Sequence, residues 1–180
     1  MAQEVAYVLI TPYTIRKSRT GAVLSRLFGR MSARLIATQM IGLSHDMAER
    51  FAATIGEGDD DEDEMYRQMI RSYIRENMSP DPDGRVHRSL LLVFCGDGAR
   101  DELAAITGRI TISADSGETI RNAYGDLVWN PDGTVRYFEP AVLTCEPDRP
   151  ARDDLKMWMD FIAEQPALLE RLVERAGAYD

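Results

Sequence analysis

The chain has 180 residues, 44% apolar and 28% charged, the composition of a globular protein with one core of its own. Its net charge of −9 argues against a general nucleic-acid surface, which needs clustered Lys and Arg to neutralise phosphates. No apolar run approaches the ~20 residues of a bilayer span, and the opening MAQEVAYVLI lacks the basic region, apolar core and cleavage site of a signal peptide. Cys95 and Cys145 fit neither metal-ligand spacing nor a disulfide framework. Cys95 ends an apolar run and reads as a buried thiol in a reducing compartment, so a cytoplasmic location is expected.

The chain opens with an apolar run, Val5, Tyr7, Val8, Leu9 and Ile10, long enough for one strand and closed by Thr11-Pro12. Val23, Leu24, Leu27, Phe28 and Met31 follow at helical spacing, and residues 35–43 read as a second strand. Ser44 stands as the N-cap of a short helix over residues 45–55, with Met47, Ala48, Phe51 and Ile55 on one face. Residues 56–64, two glycines and then a run of Asp and Glu, read as an acidic mobile loop. A calcium loop fails there, because its turn glycine would fall at Glu64 and its closing glutamate at Ile70. The next helix is expected from about Glu64 to Asn77, with an apolar stripe of Met65, Met69, Ile70, Tyr73 and Ile74. Arg67, Arg71 and Arg75 line another face; such a strip can meet phosphates but more often answers nearby carboxylates.

Residues 80–84 carry strong turn chemistry, and residues 89–94 form an unbroken apolar run expected of a central strand. A helix over residues 97–107 ends at Gly108, and residues 110–124 read as a loop. Residues 127–129 and 134–139 flank Asn130-Pro131-Asp132-Gly133 as a hairpin. Pro150 opens a helix over residues 151–163 with Asp153 and Asp154 in its first turn. Leu168, Leu169, Leu172 and Val173 mark an appended C-terminal helix within residues 165–176. Nothing divides residues 1–180 into more than a single domain.

Two blocks carry a resemblance. Leu9-Ile10-Thr11-Pro12-Tyr13 closes the first strand, and the second strand runs into Leu43-Ser44. Further on, the strand at residues 89–94 and the helix after it lead to Thr119-Ile120-Arg121-Asn122-Ala123-Tyr124-Gly125. This wording resembles the nucleoside diphosphate kinases, which have a strand ending like LIKPD, a second ending in LS, and a loop ending like PGTIRGDFG. The resemblance implies an α+β, ferredoxin-like sandwich: a four-stranded antiparallel sheet with helices on one face, here with a hairpin and the extra C-terminal helix.

The family moves a γ-phosphate through a phosphohistidine, which takes a nitrogen nucleophile, cations for the phosphoryl charge and a platform for the base. Its histidine lies in a block like NxxHGSDS after the Thr-Ile-Arg loop. Residues 135–144 fill that region here without a histidine, while His45 and His87 lie elsewhere. Ser44-His45-Asp46 does not make a triad, since adjacent residues at a helix start cannot converge on one atom. The family's lysine after the first strand is replaced by Thr11.

Arg121 matches a phosphate-binding arginine, with a structural ion pair as its alternative. Tyr66 matches the aromatic that stacks on the base, with core packing as its alternative. Glu139 lies near the missing histidine; it is either an acyl-phosphate acceptor or a carboxylate at the end of a hairpin. The expectation is a nucleotide-binding protein without phosphohistidine transfer. Its rivals are a phosphotransferase using Glu139 or direct transfer, and an oligomeric scaffold without a nucleotide site. The implied ligand is a nucleoside di- or triphosphate, with magnesium bridging the phosphates, and the implied assembly is a homo-oligomer.

Overall fold

The computed structural model describes residues 4–108, 117–145 and 151–164. In chain order it has β1 (Glu4–Ile10), α1 (Pro12–Arg16), α2 (Thr20–Arg30), β2 (Arg34–Gly42), α3 (His45–Ala52) and α4 (Asp61–Tyr73). A π-helical turn (Ile74–Met78) continues α4; then come β3 (Arg88–Gly96), α5 (Ala99–Thr107), α6 (Ile120–Tyr124), β4 (Asp126–Trp129), β5 (Val135–Glu139), β6 (Val142–Thr144) and α7 (Ala151–Glu164). Four strands form one antiparallel sheet in the order β2-β3-β1-β6, and β4 and β5 pair as a separate hairpin. This is the expected ferredoxin-like α+β sandwich.

The sheet is covered on both faces, not one. Ala6, Tyr7, Val8, Leu9 and Ile10 are each at most 1% exposed, although successive strand side chains face opposite ways. Tyr7 lies opposite Val93 and meets Trp158 of α7, which packs on Phe51 of α3. Ala6 lies opposite Phe94, which meets Phe28 of α2 on the other side. The unbroken apolar runs of β1 and β3 follow from this double covering.

Several local readings change. The acidic run is not a loop to its end: α4 begins at Asp61, and Asp60 caps it by accepting from the Asp63 amide at 2.9 Å. Carboxylates in a first turn meet the positive end of the helix dipole, so the run starts the helix. Pro12 opens a helix of its own, α1, with Thr11 as its N-cap. The stretch expected as loop carries α6, capped by Thr119. Of the two free cysteines, Cys145 is the buried one and Cys95 is half-buried.

The arginine strip answers carboxylates: Arg67 reaches Asp63 (2.7 Å), Arg71 reaches Glu64, and Arg75 reaches Glu49 (2.9 Å). The hairpin is as expected, its turn closed by the Asn130 amide on the Thr134 carbonyl at 2.8 Å. The appended helix of residues 165–176 lies outside the described residues.

Candidate functional site

The site forms where β1 ends and α1 begins. Thr11 is fully buried; its amide donates to the Ala141 carbonyl (3.3 Å) and its hydroxyl to the Pro140 carbonyl (2.7 Å). Thr14 donates its hydroxyl to the same Ala141 carbonyl at 2.8 Å. Two threonines of α1 thus hold the link between β5 and β6 against the end of β1. That link carries Glu139, 7% exposed, whose carboxylate lies 4.0 Å from the Arg16 guanidinium.

Tyr73 completes the group from α4. It sits where the helix widens into the π turn, a geometry often found at functional sites. Its ring meets Phe138 edge-on at 6.1 Å, and its buried hydroxyl lies near enough to Glu139 and Thr11 to feel both without a hydrogen bond to either. Burial, and then the Glu139 charge, push the Tyr73 phenol well above its ordinary pKa, so it stays a proton carrier.

A second cluster adjoins the first. Asp126 is the direct cross-strand partner of Glu139 at the base of the hairpin. Tyr13 donates its hydroxyl to Asp126, and Arg19 donates to Asp126 (3.3 Å) and to the Tyr124 carbonyl (2.8 Å). Lys17 and Arg19 lie over the Tyr13 ring, 5.8 and 5.4 Å from its centre.

Of the residues singled out from sequence, Thr11 and Glu139 come together here. Arg121 lies beside β6: it donates to the Val142 carbonyl (3.3 Å), to the Thr144 hydroxyl (3.2 Å) and to the Gly108 carbonyl. Its guanidinium therefore ties the end of α5 to the sheet edge. Tyr66 shares a face of α4 with Tyr73, two turns or about 10 Å away along the axis. It is 5% exposed, so its ring is packed rather than open. Neither histidine is in the group: His87 bonds Asp81 at 2.8 Å in the turn before β3, and His45 is exposed in the first turn of α3 behind the Ser44 cap.

Sequence reasoning passed over Tyr13, Arg16, Arg19 and Asp126. The signal available was three basic residues, Arg16, Lys17 and Arg19, packed closely after a proline. Asp126 had none, because only pairing of the hairpin sets it opposite Glu139.

The fold recurs in solved structures. The nucleoside diphosphate kinase of Borrelia burgdorferi, a transition-state mimic with bound vanadate and ADP, matches with a TM-score of 0.64 and 16% identity over 87% of this chain and 86% of that one. The Pyrobaculum aerophilum enzyme matches at 0.61 and 16% over 87% and 96%. The fold is that of the nucleoside diphosphate kinases. A halophilic nucleoside diphosphate kinase from Halobacterium salinarum, in complex with CDP, matches at 0.56 with 12% identity over 87% of each chain. No family model and no curated protein matches the sequence. The kinship with the nucleoside diphosphate kinases is one of architecture.

Proposed function

We propose that this chain is a nucleotide-binding protein on the nucleoside diphosphate kinase fold, one that does not run a phosphohistidine relay. The observation that carries the reading is the whereabouts of the two histidines, one hydrogen-bonded to Asp81 and one exposed on α3, on a fold whose neighbours hold ADP and CDP. Phosphoryl transfer through nitrogen needs that nitrogen beside the phosphate and cations for the developing charge. Losing one such stabilising group costs about 3 kcal/mol of transition-state stabilisation, or about a hundredfold in rate.

In this reading Arg121 meets the phosphates, and the buried Thr11 serves by holding the end of β1 and the start of α1 in place beneath them. Arg121 exchanges part of its present bonding for phosphate oxygens, and Tyr66, now packed, must turn outward for the base to stack on it. Magnesium enters as part of the metal–nucleotide ligand, bridging its phosphates. The free thiols Cys95 and Cys145 suit a reducing compartment, and the cytoplasm is the location proposed.

Calorimetry with ADP, CDP and ATP, with and without magnesium, tests the proposal beside a coupled kinase assay. Binding without turnover is the expected result, and turnover at ordinary enzyme rates refutes it. An Arg121→Ala variant that still folds is expected to bind at least tenfold more weakly.

A second reading has one observation in its favour, the burial of Glu139 beside the Tyr73 hydroxyl and Arg16. There the carboxylate oxygen attacks the γ-phosphorus, the nucleoside diphosphate leaves, and an acyl phosphate forms. Hydroxylamine-sensitive labelling from γ-labelled ATP, lost in Glu139→Gln, supports it; absence of label removes it.

A third reading is assembly without a ligand. It is favoured by β2, an edge strand with Leu35, Ile36 and Met40 each 36% or more exposed, beside Phe28 at 51%. Silence of every nucleotide in calorimetry, with a stable oligomer in solution, favours it over the first.

A further inference from the structure

We propose that Arg16 and Arg19, with Lys17, form a polyphosphate-binding site, which the β4–β5 hairpin fills with its own carboxylates and thereby gates. The physiological ligand rests on the nucleotide reading above; the site itself does not.

The argument begins at the base of the hairpin. Asp126 and Glu139 are direct cross-strand partners, and like charges in that position weaken a ladder. A two-stranded hairpin is marginal by itself, so its seating depends on what meets it. Each carboxylate meets an arginine from one short stretch of chain: Glu139 lies 4.0 Å from Arg16, and Asp126 lies 3.3 Å from Arg19. Between those arginines Ser18 sits at φ 55, left-handed for a non-glycine residue. The break it makes lets Arg16, at the end of α1, and Arg19, at the start of α2, converge on adjacent hairpin residues.

Exposure decides how firmly the base is held. The Arg16 and Arg19 side chains are 49% and 34% exposed, so a dissolved anion can reach both. Both arginine ends are open to water although Glu139 is nearly covered, and pairs of this kind hold only weakly. A di- or triphosphate brings several charges at once and matches the guanidinium fork with two oxygens. Lys17 is exposed above the Tyr13 ring and adds a third cation. The site also adjoins the buried Thr11–Tyr73 group at the end of β1, which Glu139 borders. Polyphosphate and hairpin carboxylates therefore compete for the same cations: anion binding loosens the hairpin, and a seated hairpin weakens anion binding.

Calorimetric titration with inorganic triphosphate tests the site without a nucleoside. In Asp126→Asn/Glu139→Gln, affinity should rise at least tenfold over the unmodified chain; in Arg16→Ala/Arg19→Ala it should fall at least tenfold. Unchanged or weaker binding in a cooperatively melting carboxylate variant overturns the proposal, as does absence of triphosphate binding in every variant.

If the double carboxylate variant does not fold, hydrogen exchange on the unmodified chain decides. Saturating triphosphate should speed exchange across residues 126–139, an effect lost in Arg16→Ala; unchanged exchange overturns the proposal. Triphosphate behaving as described while ADP and CDP do not bind leaves the gate standing and removes the nucleotide reading. Nucleotide binding that ignores both carboxylates does the reverse.

Discussion

At the scale of single residues, Thr11 concentrates most of the local organisation. Its hydroxyl caps α1 and bonds the Pro140 carbonyl, so one side chain joins β1, α1 and the link between β5 and β6. Thr11→Ala is expected to lower stability by about 1–2 kcal/mol, from a lost cap and an unpaired buried carbonyl; urea denaturation measures it, and a loss within error would contradict the assignment. Two buried phenols set a pH response. Burial first, then the Asp154 charge, raises the Tyr7 pKa, and burial with Glu139 raises that of Tyr73. The folded chain thus favours the protonated phenols, and their contribution is fully present below the unfolded pKa of about 10. It is lost as pH rises past that value toward the folded pKa values. Stability should hold to about pH 9 and then fall. Phenolate absorbance followed alongside denaturation checks this: full ionisation of all tyrosines in a chain that remains folded is the contrary result.

At the scale of elements, α7 is anchored by a few deep contacts. Trp158 is 1% exposed and packs edge-on against Tyr7 and Phe51, with ring centres 6.3 and 4.8 Å apart. Asp154, equally buried, accepts the Tyr7 hydroxyl at 3.0 Å. Trp158→Ala should therefore cost about 3–5 kcal/mol, and a loss below 1 kcal/mol in a denaturant melt would mean that α7 is not part of the cooperative core. Element boundaries were legible wherever caps were strong. Ser44 caps α3, as its position suggested, and the Asn130–Gly133 turn makes the hairpin. The start of α4 was misjudged because acidic residues suit a solvated loop and a first helical turn equally well. The helix of α1 was passed over because Pro12 reads as a stop when the chain before it is a strand, yet it starts a helix when a threonine caps it.

At the scale of the whole molecule, the conspicuous feature is the uneven fate of the sheet edges. β1, in the interior, is sealed on both faces, whereas the edge strand β2 is exposed from Arg34 to Met40. Pairing of two β2 edges would satisfy their backbone groups and cover Leu35, Ile36 and Met40. A homo-oligomer built this way should fall to monomers in Ile36→Lys with its thermal midpoint of unfolding near that of the isolated subunit. Sedimentation velocity reads the outcome, and an unmodified chain that is monomeric at micromolar concentration rules the assembly out.

The sequence by itself determined the long strands and helices (β1, α2, β2, α3, β3, α5 and α7), the hairpin and the absence of a histidine after the Thr-Ile-Arg loop, because apolar period, turn residues and residue identity are local properties. Only the tertiary structure decided which polar groups meet. The cross-strand register set Asp126 beside Glu139, the packing of α4 brought Tyr73 to Thr11, and the break at Ser18 turned two arginines onto one hairpin. Those encounters join residues far apart in the chain, Arg16 with Glu139 among them. No local pattern encodes them, since they depend on how the sheet pairs and which faces its helices cover.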